Sequence, residues 1–463
     1  MKKHIAVLAL LLALTTAVTC FLGASLSASK DAVTVTERII RGDKSVVDGL
    51  VVSSVLSLDR RLMWCTDYTI GDTPQTETSF DFSLGKFPVP SYATRASADM
   101  QLNIPAGFTK GTTEEQVGIS AVYRELYDSL PNGGEKSAKV RLADYYEYYP
   151  LKFNFYMSGI RWEAIRHDDS LKEAYDHIQN AMADYFRIPV EEEVQIEVSV
   201  SRNKSGNSVG FGMSSSGLMY AGGCASTHTS DTCFFAISPK NMKGGYVDTS
   251  MIRGGYGIYS IRYSTPTAAY ETGIDVDSLK TVFALDSHTQ VMEMAISADN
   301  KNLIALAQEN DCITLYVIDL EDMSLVRKFT FDGGSVVRLQ QGEGFVLLTF
   351  YDKLVLIDMI DHSDPFIAIQ SPIEHINVTI QDLIDSRTTV QALYNGEKLV
   401  LTDFLRDNYG NDMCSFYVAV YTKDGIVFHG EYESSLDKNH LGNTSYDPSP
   451  HGEIAISVKL PES

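Results

Sequence analysis

A serine thrust out of a sharp turn can attack a carbonyl, and residues 206–210 read Gly-Asn-Ser-Val-Gly, the G-x-S-x-G spacing such a nucleophile uses. That chemistry needs a strand before the serine and a helix after it. Here Phe211-Gly212-Met213-Ser214-Ser215 follows, which has no helical period, so the stretch reads as a glycine-rich hairpin. Ser201-Arg202-Asn203-Lys204 has S-x-x-K spacing but also leaves a strand, with no S-D-N or K-T-G run after it. Catalytic residues are therefore expected to be none.

Cys224, His228 and Cys233 are the best metal-like group. A tetrahedral zinc site wants a fourth ligand and tighter cysteine spacing, so a Cys224–Cys233 disulfide and two unpaired thiols stand ahead of a metal. Asp407, Asn408, Asn411 and Asp412 make an oxygen-rich loop without the spacing of a calcium loop, and it reads as a turn. His429 and Glu431, like His451 and Glu453, are single pairs at i, i+2 and are expected at the surface. No metal and no cofactor is expected. The densest aromatic run is Tyr145, Tyr146, Tyr148 and Tyr149, with Trp162 nearby. Such rings suit a protein or glycan surface, or else they seat one segment on another. Arg41-Gly42-Asp43 matches an adhesion tripeptide as easily by chance as by design.

These residues must be positioned by strands. From Thr281 to Ser434 three sets of short apolar runs follow one another. The first holds residues 291–297, 302–308, 312–320 and 324–331. The same station recurs as Asp299-Asn300, Gly342-Glu343-Gly344 and Asn395-Gly396-Glu397, at intervals of 43 and 53 residues. The strand after each mark is alike: NLIALA, FVLLTF, KLVLTDF. Runs rich in Val, Ile, Leu and aromatics, closed by Asp, Asn and Gly, are strand and turn signals. Four strands at this period resemble the blades of β-propeller repeat proteins. The resemblance covers about a third of the chain, without a GH…WD signature. It implies a mainly β fold of about five to seven blades, with antiparallel β-sandwich domains as the alternative.

Three strands precede Ser83, and a single strand, EIAISVKL, follows Pro450. Propellers complete one blade from both ends of the repeat region, so Glu453–Leu460 is expected to pair with the group at Gly49–Ser83. Between them the pattern changes to helical. Thr113 to Gln116 form a capping box before Ile119, Val122, Tyr123 and Leu126. Ser137–Tyr146 is a plausible second helix. A third begins at Asp169, with Leu171, Ala174, Tyr175, Ile178, Met182 and Tyr185 on one stripe, and stops before Pro189.

Lys2 and Lys3 precede twenty uncharged, mostly apolar residues from Ile5 to Ala24. As a helix they span about 30 Å, enough for a bilayer core. The lysines favour a cytoplasmic start and an external body. A cleaved signal peptide is the competing reading, with Ser25-Leu26-Ser27 as a passable site. The domain reading is an anchor or signal peptide over 1–29, a stalk over 30–47, first propeller strands over 48–111, a helical insertion over 112–189 and the remaining blades over 190–460.

Net charge is −22, spread along the chain, which disfavours nucleic acid. These features suggest a membrane-anchored, non-catalytic binding or sensing module at the cell envelope. Its partners would be the membrane, through the helix, and an envelope protein or glycan. The alternative is an extracytoplasmic hydrolase or lyase acting on envelope or glycan substrates, with acids on blade loops.

Overall fold

A computed structural model describes residues 2–58, 62–81, 97–105, 107, 118–156, 169–206, 208–264, 272–332, 336–373, 390–405, 415–436 and 454–459. The chain divides into two compact units, one of residues 1–91 with 335–463 and one of residues 92–334.

The first unit begins with α1 (Lys2–Asp31), β1 (Val35–Gly42), β2 (Val51–Leu58), β3 (Leu62–Thr69) and β4 (Gln75–Asp81). The second unit carries β5 (Ser97–Leu102), α2 (Ile119–Asp128), β6 (Glu135–Arg141), β7 (Leu151–Tyr156) and α3 (Asp169–Tyr185). It continues with β8 (Gln195–Arg202), β9 (Val209–Ser215), β10 (Cys224–His228), β11 (Thr232–Ile237), β12 (Gly257–Tyr263) and β13 (Ile274–Ala284). Its last strands are β14 (Thr289–Ile296), β15 (Asn302–Glu309), β16 (Cys312–Asp319) and β17 (Leu325–Phe331). The first unit then resumes with β18 (Val336–Gly342), β19 (Phe345–Phe350), β20 (Lys353–Asp358) and β21 (Phe366–Pro372). It ends with β22 (Gln391–Tyr394), β23 (Leu399–Phe404), β24 (Phe416–Thr422), β25 (Gly425–Ser434) and β26 (Ile454–Lys459).

The three repeated sets each form one antiparallel meander: β14–β17, β18–β21 and β22–β25. Neighbours in sequence are neighbours in the sheet, which is the strand order of a propeller blade. A fourth such sheet is β10–β13. The expected pairing across the chain also occurs, because β26 lies antiparallel to β2 with Val51 opposite Lys459 and Leu56 opposite Ile454. The sheet order β26-β2-β3-β4 therefore combines three early strands with one late one. The central strands are apolar on both faces, as β19 shows with six buried residues of six, because other layers cover each side.

Three expectations need correction. Residues 30–47 are not a stalk: β1 pairs with β25 as a fifth strand, and Lys44–Val47 form a 3-10 turn capped by Asp43. Charges conceal this strand, since its exposed positions tolerate Arg38 and Arg41 at a sheet edge. Residues 135–141 are a strand and not a helix, because Ala138 and Val140 alternate with exposed neighbours and the run pairs with β8. The segment 112–189 is consequently mixed rather than helical. Its two helices match their stripes: Ile119, Val122 and Tyr123 of α2 are buried, as are Leu171, Ile178, Met182 and Tyr185 of α3. Each such burial stabilises by roughly 1.5–3 kcal/mol. The capping box at 113–116 lies outside the described residues, and Gly118, whose φ of 64° suits glycine, is the residue just before α2.

In α1, residues Leu11–Asp31 are long and apolar enough to cross a membrane, and none of this stretch is buried in the protein. The hydroxyls of Thr15, Thr16 and Thr19 donate to carbonyls three or four residues back at 2.8–3.0 Å. Those internal bonds leave the threonines satisfied in a medium without water.

Candidate functional site

Within the first unit the sheets β18–β21 and β22–β25 face each other across a narrow cleft of about 20 Å³, room for about one water. Register determines what lines it. Arg338 stands opposite Thr349, and Thr349 opposite Leu354. Directly opposed residues share a face, so all three point into the cleft, with Gln340 and Leu347 one step along. The other wall is Leu401 of β23 with Tyr417 and Tyr421 of β24. Gln340 Nε2 donates to the Val390 carbonyl at 2.9 Å and ties the walls together. The walls are apolar and aromatic, with a guanidinium, an amide and a hydroxyl among them. The two sheets therefore pack closely here, with these polar groups set into an otherwise apolar seam. Arg338 is the one charged side chain in the described lining.

The face of β22–β25 bearing Tyr417 is polar beyond the cleft. Asp403, Tyr417, Glu431 and Arg38 form a cross-strand row over β23, β24, β25 and β1. Arg38 bonds Glu431 at 2.6 Å. In the next row His429 lies between Ala419 and Arg41. His429 was expected at the surface, but it is only 4 % exposed, with its ring 6.4 Å from that of Tyr417. Burial holds its pKa below the ordinary imidazole value, so the neutral form is favoured.

The tyrosine run lies in the second unit and divides. Tyr145 is exposed. Tyr146 is half-buried against Gly118, and burial raises its pKa. Tyr148 lies under the Arg187 guanidinium, 5.7 Å from its ring centre. Tyr149 is buried and donates to Glu191 at 2.8 Å, and burial together with that carboxylate raises its pKa. Most of these rings therefore seat the segment 142–149 on its own unit, and Tyr145 is the exposed one. Trp162 lies outside the described residues.

For Cys224 and Cys233 the sequence leaves both a disulfide and unpaired thiols open, and the disulfide is the reading that is corrected. Both are free thiols. Cys224 faces Ile237 and Cys233 faces His228, so four strand positions separate them, about 13 Å of backbone. A disulfide needs Cα atoms within about 7 Å. Burial pushes the Cys233 thiol up to about 12 and raises Cys224 as well, which keeps both protonated and unreactive. Among the described residues no group of three or more His, Cys, Asp and Glu could hold a metal ion. Ser208 is exposed in the β8–β9 turn, a strand-to-strand hairpin, so the nucleophile geometry is not built. The Asp407–Asp412 loop and the His451–Glu453 pair lie outside the described residues.

No protein-family model matches the chain, and no curated protein does. Similar solved structures include the Cps50 (Swd1) β-propeller domain of Myceliophteria thermophila. It is 8% identical over 51% of this chain and 68% of that one, with a TM-score of 0.26. Kluyveromyces lactis Hsv2 is 9% identical over 54% of this chain and 71% of that one, also with a TM-score of 0.26. Likeness at this level carries no inference about ligands or partners. The blade-like reading rests on the strand pairing.

Sequence reading missed the cleft. Its residues sit on strands whose two faces are both apolar, so Thr349 and Tyr417 look like core positions. The usable signal was β18 itself, where Arg338 and Gln340, spaced i, i+2, share one face and Gln341 follows, unlike the mostly apolar runs beside it.

Proposed function

We propose that this protein is a non-catalytic binding module held at a membrane by α1, with its β-rich body on the extracytoplasmic side. The observation that supports it best is the apolar, unburied helix leading within four residues into β1, which is knitted along its length to β25. A helix so connected would hold the body close to the membrane surface. The binding part of the reading rests on exposed surface, because the cleft between the two sheets has room for little more than a water. An envelope protein or glycan would then be met by more exposed surface, such as that around Tyr145.

Protease treatment of intact cells tests the orientation. The proposal expects the body to be digested from outside while the helix remains in the membrane. Protection of the body until the cells are lysed would reverse the topology.

A further inference from the structure

Two exposed large apolar side chains in the first unit, Ile360 and Phe366, lie on the same side of their sheet, while Ile367, next to Phe366 in the strand, points to the opposite face. Ile360 is 64 % exposed, Phe366 51 % and Ile367 41 %, all on the turn between β20 and β21 or the first residues of β21. Phe366 stands opposite Asp358, two residues before Ile360. Ile360 also rests on two neighbouring turns. A Cβ placed on Gly344 would lie 2.9 Å from Ile360 Cγ1, and one on Gly396 would lie 3.7 Å from its Cδ1. Both glycines have positive φ, 72° and 94°, so the turns they form resist substitution.

This turn is held firmly. Asp358 Oδ1 accepts from the Ile360 amide at 2.8 Å, and Oδ2 accepts from the Tyr394 hydroxyl at 2.9 Å in a buried bond. The Met359 amide donates to the Gly344 carbonyl at 2.8 Å. The backbone that presents Ile360 is fixed in this way, which lowers the cost of ordering the turn when a partner covers it. Single exposed apolar residues are ordinary, but Ile360 and Phe366 share one firmly held turn with a ring of charge around it.

Charge selects the partner. Glu343 and Glu397 sit on the two turns that Ile360 covers, Asp361 and Asp364 on its own turn, and all four are exposed. Lys398 is the cation among them and is half-buried. A negative rim around an apolar centre repels anionic lipid and a like-charged second copy, and it attracts a cationic segment. We propose that this end of the first unit docks a cationic, apolar-anchored segment of a protein partner. The surface is separate from the cleft and does not depend on it.

The test uses the full chain in phosphatidylcholine nanodiscs. Its probe is a fluorescein-labelled synthetic peptide of alternating Lys and Leu, with a Glu/Leu peptide as the counterpart, read by anisotropy. The Lys/Leu peptide is expected to bind and the Glu/Leu peptide not. Glu343→Lys with Glu397→Lys is expected to weaken binding by about tenfold or more, and Ile360→Ser with Phe366→Ser by a similar factor. Glu192→Lys with Glu193→Lys, exposed residues of the other unit, makes the same charge change and should leave affinity unchanged. Circular dichroism confirms folding, and the charge variants alter only exposed side chains. Equal weakening by the control pair, or unaltered binding by the Ile360/Phe366 variant, would overturn the proposal. So would self-association in sedimentation velocity that the Ile360/Phe366 variant abolishes, since the occupant would then be a second copy.

Discussion

The Tyr68 hydroxyl donates to Glu37 Oε1 at 2.5 Å, joining β3 of the sheet built from early and late strands to β1 of the five-stranded sheet. Lys44 Nζ reaches the same carboxylate at 2.7 and 2.8 Å. Tyr68 is buried against Tyr432 and Phe416. Burial and the adjacent carboxylate raise the Tyr68 pKa, so the phenol stays neutral and remains a donor. This contact anchors the strand that follows α1. Glu37→Ala leaves the Tyr68 hydroxyl and Lys44 without their acceptor and should cost ~1–3 kcal/mol. Calorimetry should show a fall of about 2–4 °C per kcal/mol. Tyr68→Phe should cost less, because Lys44 still satisfies Glu37, and the double variant should be non-additive.

His429 makes stability depend on acid. Its folded-state pKa is lowered, while the unfolded chain binds the proton at about 6.5. The contribution is therefore present above about 6.5 and is lost as pH falls toward the folded value. One proton gives a slope of at most about 1.4 kcal/mol per pH unit. Denaturant titrations from pH 7.5 to 5 should show the decline, and His429→Gln should flatten it. Arg38 and Glu431, which face the same side, should be left unchanged in that comparison.

Removing residues 454–463 should destabilise the first unit. Without β26 the backbone groups of β2 that pair over Val51–Leu56 lose their partners, and β2 becomes an unpaired edge. A loss of ~3 kcal/mol or more is expected, a fall in Tm of about 6–12 °C. An unaltered transition would mean that the pairing contributes nothing to the cooperative unit.

Tyr394→Phe should loosen the turn that presents Ile360. Asp358 keeps the Ile360 amide but loses the buried phenol, at a cost of ~1–3 kcal/mol. Hydrogen exchange at the Ile360 and Met359 amides should quicken, while amides in β23 and β24 keep their protection.

Local periodicity made most elements legible. The apolar runs from Val291 to Ser434 become the expected sheets, and the stripe from Leu171 to Tyr185 becomes α3. The pairing of β26 with β2 was reachable because three strands and one strand sum to a blade. What escaped depends on distant partners. Thr36 of β1 lies opposite Glu433, almost four hundred residues away, and nothing within TERIIRG announces that. Residues 135–141 have too few apolar positions to separate strand from helix until β8 supplies a partner. The candidate site was the least readable part. A cleft between two sheets is a matter of which faces meet, whereas spacing directed attention to Cys224 and Cys233, which their register keeps apart.

Attachment through α1 is most directly measured by sequencing the start of the protein recovered from alkali-washed membranes. The account predicts that the protein stays in the membrane pellet and retains Ile5–Ala24. A protein released to the soluble fraction, beginning after Ser27, would contradict it.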